Sequence, residues 1–261
     1  MSMSRRQRTR AVRGVQYGVL ALVVAAVAFG ANWGEIRRAF FDLDVAQAQF
    51  PDIITTALVN TVVYTLLGFG FGLALGLILA LMRLSSVPPY RWLATVYIEF
   101  FRGVPALLVF IALGFGVPIA FQVVINQYVT VMLALGLVGA AYMAETIRAG
   151  IQAVPRGQVE AARSLGMSQG RAMRSIVIPQ AFRIVLPPLT NELILLTKDS
   201  SLVYLLGLSL GQYELAKFGR DALNENRSLT PILVAGLCYL IITLPLGHLV
   251  RRLEARTAKA R

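Results

Sequence analysis

The chain has 261 residues, 57% of them hydrophobic and 15% charged, with a mean hydropathy of +0.67 and a formal charge of +12. A soluble domain carries roughly a quarter charged residues, so too little polar material is present to coat a globular surface, and most of the exterior must face lipid. The arginines gather at the chain ends and in one long loop, as charge that orients a membrane protein does; this argues against a nucleic-acid partner.

The first 14 residues form a basic tail holding Arg5, Arg6, Arg8, Arg10 and Arg13 with no acid. An apolar run at 15–32 follows without a small-x-small cleavage pattern and a polar mature domain, so it reads as an uncleaved first span. Residues 33–52 form a loop with Arg37 and Arg38 against Glu35, Asp42, Asp44 and Asp52. Further runs at 53–82, 92–121, 128–147, 184–208 and 229–250 each reach the roughly 20 apolar residues that a span needs. The second and third are longer than that and should tilt, bend or start outside the hydrocarbon. Pro105 lacks a backbone donor and should break or kink the third, and Pro187 and Pro188 should distort the start of the fifth. Gly68, Gly72 and Gly76 recur every four residues, as do Gly136, Ala140 and Ala144. Both are faces for close helix approach, within one chain or between two. Neither an inverted nor a parallel internal repeat is visible.

Charge alternates between the connections. The short second loop has Arg83 and Arg91; the third, 122–127, has none; the fourth, 150–183, has Arg156, Arg163, Arg171, Arg174 and Arg183 against Glu160. The fifth is balanced, and the tail at 251–261 is basic again with Arg251, Arg252, Arg256, Lys259 and Arg261. Basic excess faces the cytosol. Six spans with both termini cytoplasmic satisfy the pattern; five or seven would misplace one terminus. The fold class is therefore an all-α, multi-pass helical bundle, with 53–250 as its core domain.

No Gly-x4-Gly-Lys-Ser/Thr loop occurs, so the chain binds no ATP by a P-loop. Cys238 and His248 are single, which excludes a cysteine cluster or an intramolecular disulfide and leaves His248 an interfacial side chain. No catalytic constellation or metal ligand set is present, so no enzyme is indicated and energy must arrive from elsewhere.

Charges inside spans need partners or a wet cavity, since each costs about 2.5–3.5 kcal/mol at mid-helix. Glu99 with Arg102, and Glu145 with Arg148, are three apart and can neutralise each other as structural ion pairs. Lys198 and Asp199 point about 100° apart on one helix, with Glu192 before them and Ser200 after. They either fix a bend in a gating helix or line the path of a zwitterionic solute. Asn60, Thr61 and Tyr64 are weaker pathway candidates, for which interhelical hydrogen bonds are the plainer reading.

The fourth loop reads as two short helices. Pro155 and Gly157 punctuate its start, Glu160 sits in a first turn, Gly166 is a natural stop, and Ser168 caps a second helix that Pro179 ends. Leu165, Met167, Met173 and Ile176 give it an apolar face. Such an element either docks a partner or lies on the lipid surface. Glu160-Ala161-Ala162, with Gly166 four residues on and then Ile176-Val177-Ile178-Pro179, resembles the EAA loop of type I ABC importer permeases. The stretches 99–105 (EFFRGVP), 141–150 (AYMAETIRAG) and 191–202 (NELILLTKDSSL) are similar to the polar amino acid subfamily of histidine, glutamine and glutamate permeases.

That resemblance implies a permease subunit translocating a polar amino acid across the bacterial cytoplasmic membrane by alternating access. It implies a second permease subunit, two ATP-binding subunits that hold ATP and Mg, and an extracytoplasmic solute-binding protein. Gln158, Glu160, Ala161, Ala162, Leu165, Gly166 and Met167 would contact an ATPase. The shorter members have five spans, so 15–52 is an addition. Three rivals remain at this point: an ion-gradient-driven transporter, an integral-membrane scaffold or assembly factor without transport, and an ABC permease for another small solute.

Overall fold

The computed structural model describes residues 5–259. Residues 1–4 and 260–261 lie outside the described residues, as do the side chains of 6–11 and 257–259; Arg6, Arg8, Arg10, Lys259 and Arg261 of the basic tails go with them.

α1 (Arg5–Gly30) contains a 19-residue stretch, Val12–Gly30, of spanning hydropathy with none of its apolar window buried. Two short helices follow, each started by a side-chain cap. Asn32 accepts from the Glu35 N–H at the head of α2 (Trp33–Phe40), and Asp42 accepts from the Asp44 and Val45 N–H groups at the head of α3 (Leu43–Ala48). α4 (Ile53–Leu84) runs 32 residues, its first six π-wound.

α5 (Pro88–Gly103) and α6 (Ala106–Phe121) pass as one span only together, and they meet at 102°. The break falls where it was expected. Pro105 offers no N–H, and Val104 before it is driven to extended backbone, φ −94°, which ends α5.

α7 (Gln127–Gln152) lies against α4 along the two small-residue stripes. A Cβ on Gly72 would stand 3.1 Å from the Gly136 carbonyl oxygen, and one on Gly76 would stand 3.0 Å from that of Ala140. The approach is backbone to backbone, so both stripes serve packing inside this chain.

α8 (Arg156–Ser164) and α9 (Gln169–Ala172) form the long loop, and a π-wound turn, Met173–Val177, leads straight into α10 (Ile178–Asp199). Here the expected boundaries shift. Pro179 occupies the first turn of α10, where a missing N–H costs nothing, so it starts a helix and does not end one. Pro187 and Pro188 consequently lie inside α10, which stops at Asp199 before a 3-10 segment, Ser200–Leu205. α11 (Leu215–Asn226) and α12 (Thr230–Lys259) complete the bundle.

Among the described residues four helices are long and apolar enough to cross a membrane, five with the bent pair. α10, of 22 residues, is long enough but falls short in hydropathy because of its prolines and charges. The core gathers around Tyr64, Phe110, Leu135, Met143, Leu196 and Leu206, where α4, α6, α7, α10 and the 3-10 segment meet.

Candidate functional site

The break between α5 and α6 opens a cavity of about 440 Å³, inside the range of small-molecule sites. Arg102 and the backbone of the break form one wall. Tyr142 of α7 forms another, and Glu192, Leu195 and Asp199 of α10 a third. Glu192 and Asp199 are seven apart, hence on one helix face. The Arg102 guanidinium sits 5.8 Å over the Tyr142 ring. A cation and two carboxylates therefore share a cavity whose other lining is apolar.

The structure splits the pair at 198–199. Asp199 is half-buried in the cavity wall, whereas Lys198 is exposed, does not line the cavity and makes no ion pair among the described residues. Ser200 is buried and donates to the Thr197 carbonyl at 2.7 Å.

Of the two expected ion pairs, one forms. Glu145 binds Arg148 Nη2 at 2.8 Å and also Arg83 Nη1 at 2.5 Å. Glu99 and Arg102 do not pair: Arg83, at the end of α4, takes Glu99 at 3.9 Å, while Arg102 turns to Tyr142. The i,i+3 rule missed a third helix delivering a guanidinium between the two carboxylates.

Asn60, Thr61 and Tyr64 do not line this cavity. They hold the segment before α11. Asn60 Nδ2 donates to the Gly211 and Tyr213 carbonyls at 2.9 and 3.0 Å, the Tyr64 hydroxyl to that of Gln212 at 2.9 Å, and Thr61 Oγ1 accepts from Leu215 N–H at 3.1 Å. Glu214, fully buried, caps α11 through the Ala216 and Lys217 N–H groups at 2.6 Å each and accepts from the Tyr239 hydroxyl at 2.9 Å. Sequence reasoning passed over Glu214 and Tyr239, because an acid in a balanced loop carries no sign of burial. It also passed over Tyr142, whose only signal was its one-turn spacing from Glu145.

In the long loop, Gly166 has φ +86°, and the Gly166 and Met167 N–H groups bond back to the carbonyls of Arg163 and Ala162 at 3.0 and 3.1 Å. This Schellman ending needs a left-handed residue, which is why glycine stands there. Glu160 falls in the second turn of α8, not the first. Ala162 is buried, while Gln158, Glu160, Ala161 and Leu165 are exposed, Leu165 by 86%. Gln180 Nε2 donates to Gln158 Oε1 at 2.5 Å, tying α8 to α10. Ser168 caps α9, as expected, by accepting from the Arg171 N–H.

A helical loop packed on the end of a bundle with a split span has counterparts among known proteins. The family described as "Binding-protein-dependent transport system inner membrane component" matches residues 72–259. The chain belongs to that family. The arginine transport system permease protein ArtQ of Bacillus subtilis is 35% identical over 215 residues, covering 82% of this chain and 96% of that protein. The glutamate/aspartate import permease protein GltK of Escherichia coli O6:H1 is 38% identical over 229 residues, covering 84% and 99%. Among solved structures, an amino acid ABC transporter crystallised with histidines superposes with a TM-score of 0.75 at 35% identity, covering 82% and 98%. A bacterial ABC transporter for the acidic polysaccharide alginate shares the fold at 13% identity, with a TM-score of 0.66 over 95% and 99%.

The protein is thus a multi-pass inner-membrane permease subunit of an ABC importer. It is not itself an enzyme; ATPase activity lies in separate subunits, and the family works with ATPase and binding-protein partners. This sets aside the ion-gradient reading, which required an internal repeat the sequence lacks.

Proposed function

We propose that this permease carries an α-amino acid through the cavity at the α5/α6 break, with Arg102 receiving the carboxylate and Glu192 and Asp199 the ammonium group. The observation that carries the reading is the sorting of charge: a guanidinium stacked on Tyr142 on one side and two carboxylates on another wall, in a cavity otherwise largely apolar. Ionisable side chains within a spanning bundle line wet cavities and solute paths. An amino acid brings both signs in one small molecule. The named relatives support the same class, being permeases for arginine and for glutamate and aspartate.

The working unit is a pair of permease chains with two ATP-binding subunits that hold ATP and Mg, and an outer binding protein over 33–52 and 211–228. The exposed Lys198 supports the pair, since a charge within a span costs about 2.5–3.5 kcal/mol and a second chain or a shared aqueous path would cover it. Both termini and the 150–183 loop lie in the cytosol, where Glu160, Leu165, Gly166 and Met167 meet the ATPase. The helix α1 is an addition outside the transport core.

Reconstituted importer tests the cavity with labelled arginine, glutamine and glutamate. Arg102→Gln lowers uptake of all three alike, because each offers an α-carboxylate; a lost charge-assisted hydrogen bond of about 1.5–3 kcal/mol corresponds to about 10–100-fold. The double change Glu192→Gln with Asp199→Asn does the same through the ammonium group. Uptake of all three unchanged in both variants would remove the assignment.

A further inference from the structure

The cavity at the break is not the only one on α5. A second, of about 460 Å³, lies at the Pro88 end of the helix, lined by Arg83, Arg91, Trp92, Thr95, Arg148 and Gln152 among others, with no carboxylate in its wall. Two of its three guanidiniums are committed: Arg83 and Arg148 both bind Glu145, and Arg148 Nη1 donates to Gln152 Oε1 at 2.6 Å. Arg91 makes no ion pair among the described residues.

Helical spacing joins the two cavities. Arg91, Thr95, Glu99 and Arg102 recur at i, i+4, i+8 and i+11, one continuous stripe along α5. Tyr142, Glu145 and Gln152 of α7 recur at i, i+3 and i+10 and face that stripe, as the Arg102–Tyr142 stacking and the Arg83 bridge between Glu99 and Glu145 show. Leu93, Val96 and Phe100 take the other exposed side of α5 and are apolar. A polar stripe on a spanning helix, backed by an apolar one, marks a wetted groove and not a lipid face. From the break inward its charges alternate: the Arg102 cation, the carboxylates of Glu99 and Glu145, then three guanidiniums.

We infer that this groove is the inner half of the transport path and that the Arg91 cavity is a second solute station, which takes the carboxylate of the amino acid as it leaves Arg102 and before it reaches the cytosol. The inference rests on the function proposed above for the cavity at the break. Glu99 and Glu145 receive the ammonium group in passing, and the partial neutralisation of Arg83 and Arg148 by Glu145 keeps the station weak, as an exit must be. Trp92, 65% exposed at the rim, gives the solute side chain an apolar surface.

The test is equilibrium binding of labelled arginine, glutamine and glutamate to the nucleotide-free importer in lipid nanodiscs, with each probe's capacity counted per permease chain. The imported probe binds in two phases. Arg91→Gln weakens the weaker phase by about tenfold or more and spares the tighter one, and Arg91→Lys restores it. Glu192→Gln with Asp199→Asn removes the tighter phase and spares the weaker. A single phase lost in the Glu192/Asp199 variant but unaltered by Arg91→Gln overturns the second station and leaves the cavity at the break standing. Loss of a copurified anionic lipid in Arg91→Gln, with both solute phases intact, overturns it as well and assigns the cavity to a headgroup. Absence of binding by all three probes, or two phases that ignore the Glu192/Asp199 change, overturns both readings.

Discussion

Gly166 holds its turn with φ +86°, where a side chain costs about 1–2 kcal/mol. Nothing lies within 4 Å of the position a Cβ would occupy, so the cost of a substitution there is conformational and not steric. Gly166→Ala should therefore lower the ratio of intact to opened turn by about tenfold, at about 1.4 kcal/mol per decade, and reduce substrate-stimulated ATP hydrolysis of the assembled importer. Gly166→Asn, whose residue type tolerates the left-handed region, should lose less. Equal losses in the two variants would contradict the backbone argument. The same position shows what a sequence exposes at this scale. A glycine four residues after Glu160-Ala161-Ala162 announces itself, because local backbone chemistry is written locally. The charge partners of Glu99 and Arg102 do not: Arg83 enters from sixteen residues before Glu99, and only the packing of three helices brings it there.

Elements differ in how closely their neighbours hold them. α4 and α7 touch backbone to backbone at Gly72 and Gly76, so Gly76→Val should force the helices apart and destabilise the detergent-solubilised permease by about 1–3 kcal/mol, seen as a lowered midpoint of thermal unfolding. Gly70, with open space around it, should tolerate Ala without such a shift. The segment before α11 is held otherwise, by hydrogen bonds from α4 to its carbonyls. Asn60→Ala leaves the carbonyls of Gly211 and Tyr213 without their side-chain donor, a loss of about 1–3 kcal/mol, which should speed amide exchange across 209–215 by about tenfold or more. Unchanged exchange there would show that the segment is held by something else. At this scale the sequence read the split at Pro105 and the small-residue stripes correctly, since each is a steric rule acting within or between regular helices. It misplaced the start of α10, because Pro179 serves equally to end one helix or to open the next, and only the π-wound turn before it decides.

The whole molecule holds the cavity proposed for the solute and the loop proposed to dock the ATPase, and its work comes from separate subunits. α9 runs through a single π-wound turn into α10, and α10 carries Glu192 and Asp199 to the cavity wall, so one continuous element connects the second half of the loop to the cavity. A rigid-body switch driven through such an element needs its inputs to differ between the two states by about 5.5 kcal/mol to invert a 1:99 population. Composition and charge alternation carried the membrane reading because burial in lipid must be paid at every residue. The cavity was legible only as isolated charges, for its walls come from three helices far apart in the chain. The most direct measurement is ATP-driven uptake in proteoliposomes holding the complete importer and its binding protein, comparing the native permease with Gly166→Trp. The account predicts that the variant complex assembles with its ATPases, yet loses uptake and substrate-stimulated hydrolysis together. Uptake and stimulation both at native levels in that variant would contradict it.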